Sequence, residues 1–93
     1  MPDSPLEKLH QRFRKRCYED LAALRAAAAG GDPGAPAAFA VAIHRLSGMA
    51  GSFGYSALSR LAGVVDDRLS RGEQPGPDEL ARLEAELTRV AAD

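Results

Sequence analysis

The stretch His44-Arg45-Leu46-Ser47-Gly48-Met49-Ala50-Gly51-Ser52-Phe53-Gly54 decides the fold, because it reads as the second half of an amphipathic helix. At about 100° per residue, Phe39, Ile43, Leu46, Ala50 and Phe53 fall within one narrow apolar stripe, the face that a helix turns towards a core. His44 projects about 140° from the centre of that stripe, towards solvent. Its neighbours on the helix surface are small or short: Ala40, Val41, Ser47 and Gly48, with Gly51 one turn further. A glycine inside a helix costs about 1 kcal/mol relative to alanine, so Gly48 and Gly51 either leave the helix locally weak or let something approach it closely. A lone surface histidine is ordinarily a solvated residue, and such glycines can equally admit another helix of the same bundle. The outward histidine, the bare patch around it and the complete apolar stripe behind it together favour a functional site.

The flanking sequence supplies three more helices. Ser4-Pro5-Leu6-Glu7 reads as a helix start, with Ser4 as cap, proline at the first helical position and Glu7 closing a capping box. Leu6, Leu9, Phe13, Cys17, Leu21, Leu24 and Ala28 then share one face, which predicts a first helix over residues 5–29 ended by Gly30-Gly31. The glycine and proline density of Gly30–Pro36 predicts a loop, and the second helix runs from Pro36 to Phe53 with Gly54 as a left-handed stop. Ser56 is expected to cap a third helix to Ser70, with Leu58, Leu61, Ala62, Val65 and Leu69 inward. After a turn over Gly72–Pro77, a fourth helix begins at Pro77-Asp78-Glu79, and Leu80, Leu83, Leu87 and Val90 mark its buried side. Four apolar stripes and short connections predict an all-α protein, an antiparallel up-down four-helix bundle forming one domain over residues 1–93.

Composition narrows the function classes. Twelve Lys and Arg against thirteen Asp and Glu leave a net charge of −1, which points to neither nucleic acid nor a membrane surface as partner. Lys8, Arg12, Arg14, Lys15 and Arg16 cluster on the first helix, but no aromatics are interleaved for base stacking and Glu7, Glu19 and Asp20 dilute the charge, so a solvated face is the expected reading. Asp66-Asp67 diverge by about 100° on a helix and do not converge on one metal ion. The single Cys17 lies on the core stripe without a disulfide partner, which fits a reducing, cytoplasmic setting. The alanine-rich, arginine-over-lysine composition hints at a GC-rich bacterial genome, and the start at Met1 favours a free-standing protein.

His44, then Leu46 at two, Gly48 at four, Ala50 at six, Gly54 at ten and Leu58 at fourteen resembles the motif of histidine-containing phosphotransfer (HPt) domains. The likeness spans Ile43–Ala62. It implies a four-helix phosphocarrier whose exposed histidine on the second helix exchanges phosphoryl groups with receiver-domain aspartates. By that resemblance His44 is the phosphoacceptor nucleophile and Ser47 supports the phosphoryl group. Ala40, Val41, Arg45, Gly48 and Gly51 form the docking surface, with Arg60 or Arg68 assisting from the next helix. One position departs from the family: the lysine usual three residues after the histidine is Ser47, which can donate a hydrogen bond but brings no charge.

The expected partner is a response-regulator receiver domain or a hybrid histidine kinase, engaged by a monomer. No P-loop or kinase motif is present in the sequence, so the chain reads as a carrier with no cofactor of its own, Mg2+ being expected on the receiver. Two other readings compete with the relay: a degenerate fold that binds a receiver or kinase without phosphotransfer, and an unrelated helical adaptor whose glycine patch packs on a partner helix.

Overall fold

Ser4 begins the first helix as a cap: its hydroxyl oxygen accepts the backbone N–H of Glu7 at 3.1 Å, and Pro5 occupies the first turn. In the computed structural model, which describes residues 4–30 and 34–93, four helices follow in order: α1 Pro5–Ala29, α2 Ala35–Ser52, α3 Ser56–Ser70 and α4 Pro77–Ala91. No strand occurs among the described residues. The loop expected over Gly30–Pro36 lies partly outside them, as do Met1–Asp3. Three boundaries shift: α2 opens one residue early, at Ala35, and closes one early, at Ser52, and Ser56 is the first helical residue of α3, with Tyr55 in the cap position. α1 and α3 each pack against both α2 and α4, so the four apolar faces close on a common centre.

That centre holds Phe13, Cys17, Leu21 and Leu24 of α1, Phe39, Ile43, Leu46 and Ala50 of α2, Leu58, Ala62 and Val65 of α3, and Leu83, Leu87 and Val90 of α4. The stripes read from the sequence are therefore the core, except at the two ends of α1, where Ala28 is exposed as well. Leu6 and Leu9 are exposed at 62% and 47%. The reason is length: 25 residues of α1 span about 37 Å, whereas the 15 of α3 or α4 span about 22 Å, so the first turns of α1 run past the other helices. The bundle end is reached at His10 and Phe13. Phe13 stacks on Phe53 at 4.9 Å and on Tyr55 at 5.5 Å, while His10 meets Phe53 edge-on at 5.0 Å. No helix among the described residues is long and apolar enough to cross a membrane.

Two glycines set the turns. Gly54 (φ 85°) and Gly72 (φ 75°) adopt the left-handed conformation that ends a helix in a Schellman motif. At Gly54 the bonds are Tyr55 N–H to Ala50 O, 2.9 Å, and Gly54 N–H to Gly51 O, 3.1 Å. Glu73 N–H to Arg68 O and Gly72 N–H to Leu69 O repeat the pattern at the end of α3. Because the α2 to α3 turn is this tight, the register between the two helices is fixed, and residues equally far before and after Tyr55 meet. Gly51 and Ser59 are one such pair and His44 and Asp66 another.

One buried ion pair ties α1 to α2. Asp20, 3% exposed, accepts a hydrogen bond from Arg45 Nη2 at 3.2 Å, while Asp20 Oδ2 and Arg45 Nε are buried without hydrogen-bond partners among the described residues. Burial raises the Asp20 carboxyl above its ordinary range, and the charge of Arg45 only partly offsets this. A raised native value means that the folded state holds the proton more tightly than the unfolded chain. The associated stabilisation is complete below the unfolded value of 3.8 and is lost as pH rises from there through the native value. We expect the stability difference between wild type and Asp20→Asn, from urea unfolding between about pH 3 and pH 7, to decline as pH rises across that window. A difference that grew with pH would contradict the assignment.

Candidate functional site

The site is built on the outer faces of α2 and α3, and its centre is His44. Its side chain is 81% exposed, and Nδ1 lies 3.2 Å from Oδ2 of Asp66 on α3. An ionised carboxylate only accepts, so the contact places the ring proton on Nδ1 and leaves the Nε2 lone pair facing solvent. Asp66 is half-buried, with a side chain 26% exposed, and it approaches from the flank of α3. Val65, one position earlier, is fully buried in the core. The neighbouring Asp67 turns the other way and pairs with Arg71 at 2.5 Å. Among the described residues no group of three or more His, Cys, Asp or Glu side chains gathers as metal ligands.

The patch beside His44 is apolar and shallow. Ala40, Val41, His44, Asp66, Leu69 and Ser70 line a depression of about 350 Å3, in which Val41 is 65% exposed. Met49 and Val64 add exposed apolar surface on the same two helices. The two glycines of α2 separate. A Cβ at Gly48 would meet nothing within 4 Å, so that position is open to whatever lands on the helix. A Cβ at Gly51 would come within 3.3 Å of Ser59 Oγ. Gly51 is thus a close approach of α3 to α2, where Ser59 donates to the Ser47 carbonyl at 2.8 Å, while the glycine itself stays exposed.

The arginines also divide. Arg45 is half-buried on the α1 side of α2 and committed to Asp20, so it leaves the open patch to which the sequence assigned it. Arg60 does not line the depression. It stands towards α4, where Glu86 is held below the usual carboxylate range chiefly by the hydrogen bond from Arg89, with Arg60 adding its charge. Arg68 bonds Glu79 at 2.7 Å and Glu73 at 3.4 Å, which joins α3 to the start of α4. Ser47 donates its hydroxyl to the His44 carbonyl at 2.9 Å, a bond within its own helix that must rotate away before the hydroxyl could serve a phosphoryl oxygen. The residue that sequence reasoning missed is Asp66. Its signal was positional: it stands as far after Tyr55 as His44 stands before it.

The arrangement offers an oriented, solvent-facing nitrogen nucleophile on a rigid helix, backed by a carboxylate and open to close approach at Gly48. Comparison with known proteins bears on its use. The family model described as Hpt domain matches residues 8–93, most of the chain. No curated protein and no solved structure matches it.

Proposed function

The chain belongs to the Hpt domain family, the phosphocarrier modules of phosphorelays, and from that membership we propose that His44 is its phosphoacceptor. The observation that carries the proposal is the His44 Nδ1 contact to Asp66 Oδ2 at 3.2 Å on a side chain otherwise open to solvent. With Nδ1 as the proton-bearing nitrogen, Nε2 attacks the phosphorus of an aspartyl phosphate in line with the leaving oxygen. The N–P bond forms as the P–O bond breaks, the aspartate leaves as a carboxylate with the bonding pair, and the Nδ1 proton stays between the ring and Asp66. Transfer to the next receiver runs the same step backwards. Gly48 and the exposed Val41 leave room for the partner to close over the reacting atoms and exclude water.

Hpt domains work with receiver domains and histidine kinases, and the proposal assigns a receiver aspartate as donor and another as acceptor. Mg2+ belongs to the receiver in this scheme. We also take the chain as one domain over residues 1–93, an antiparallel up-down bundle acting as a monomer in a bacterial cytoplasm. The contact of Tyr55 Oη with Asp93 at 3.3 Å, the shared core, the buried lone Cys17 and the composition support those assignments.

A second reading, a scaffold that binds a receiver without accepting its phosphoryl group, is favoured by one observation. Arg45, Arg68 and Arg71, the arginines nearest in sequence to His44 and Asp66, are engaged by other carboxylates. The discriminating experiment presents the chain with a panel of phosphorylated receiver domains. The relay predicts an acid-labile, alkali-stable phosphoryl signal on the chain; binding of a receiver without that signal would select the scaffold.

A further inference from the structure

The depression beside His44 is walled by Ala40, Val41 and Leu69, and Asp66 is the only acidic side chain lining it. Four surface acids elsewhere on α3 and α4 are paired with the chain's own arginines: Asp67 with Arg71, Glu79 with Arg68, Glu84 with Arg25 and Glu86 with Arg89. Asp66 differs. Among the described residues its Oδ2 meets the imidazole and its Oδ1 makes no hydrogen bond. The carboxylate that stands beside the nucleophile is therefore left without a cation, in a hollow with apolar walls.

We propose, on the phosphotransfer reading above, that this hollow receives a lysine or arginine side chain of the docking receiver, its charged head on Asp66 Oδ1 and its alkyl stem against Val41 and Leu69. The chemistry of the lining selects that occupant. Long cationic side chains bury their methylene stems on apolar surface while the head keeps a charged partner. Because the ring that keeps its Nδ1 proton is formally cationic once Nε2 bonds phosphorus, Asp66 Oδ2 serves that ring, and Oδ1 is the oxygen left for a partner's charge. Receivers without a cation at that place are discriminated against.

The test measures the affinity of the unphosphorylated receiver found in the transfer screen, across added salt from about 50 mM to about 500 mM, for wild type, Asp66→Asn and Asp66→Glu. Asparagine keeps an acceptor for the Nδ1 proton and removes the charge; glutamate keeps the charge. We expect Asp66→Asn to weaken binding by about fivefold to tenfold at low salt and to flatten the salt dependence, with Asp66→Glu restoring much of both. Equal affinity and equal salt slope in wild type and Asp66→Asn, or tighter binding by Asp66→Asn, would overturn the inference while leaving transfer to wild type intact. A wild-type chain that neither binds nor accepts phosphoryl groups from any receiver would instead overturn the phosphotransfer reading on which it rests.

Discussion

We expect His44→Gln to abolish phosphoryl uptake, with transfer from a phosphorylated receiver falling to background while the variant folds as the wild type does. The effect is total because glutamine has no nitrogen lone pair able to attack phosphorus, its amide nitrogen being conjugated with the carbonyl. The fold is spared because the side chain is 81% exposed and takes no part in the core. A surface replacement of that kind changes stability by about 0.5 kcal/mol or less. Glutamine also retains an N–H that can reach the Asp66 carboxylate, so the link between α2 and α3 need not be lost. Transfer rates, with circular dichroism as the folding control, check both halves of the expectation. Continued uptake by His44→Gln would move the acceptor elsewhere, and His10, the other histidine, would be the first position to examine.

Gly48→Leu gives the second large effect, with the opposite division between stability and function. Beyond the backbone of its own helix and its chain neighbours, no described atom lies within 4 Å of a Cβ built at Gly48, so the bundle leaves space for the new side chain. Leucine removes most of the roughly 1 kcal/mol that glycine costs inside a helix, and the melting temperature should hold or rise. Transfer should fall by about a hundredfold, because a bulky group one turn from His44 holds the partner back, and a misplacement of about 1 Å is enough for such a loss. Normal transfer by a folded Gly48→Leu protein would show that no partner surface approaches there. Gly51 sits under a different constraint, since its missing side chain serves the Ser59 hydroxyl at 3.3 Å inside the chain.

That contrast shows where sequence legibility ends. Periodicity on one helix locates the inward face and the outward histidine, and the buried Phe39, Ile43, Leu46 and Ala50 stand where it puts them. Gly54 was legible as a stop because a left-handed helix end favours glycine. What periodicity cannot read is the neighbour across an interface. Arg45 looks like a free surface cation until α1 brings Asp20 against it, and nothing around Gly51 in the sequence announces that Ser59 of α3 comes up beside it. Leu6 and Leu9 continue an apolar stripe past the end of the bundle, where no other helix among the described residues covers them. Asp66 was overlooked for the same reason: its meaning lies in the register of α2 against α3. The tight turn at Gly54 sets that register, and the site could have been found by counting outward from Tyr55.

In the proposed mechanism the reacting atom is Nε2 of His44, made the nucleophile by an Nδ1 proton held on Asp66. The most direct measurement is nuclear magnetic resonance of the 15N-histidine-labelled protein after phosphorylation by its receiver, which reports the nitrogen bonded to phosphorus. Phosphorus coupled to Nε2 of His44, with Nδ1 still protonated, is the predicted result; phosphorus on Nδ1, on His10, or on no histidine would contradict it.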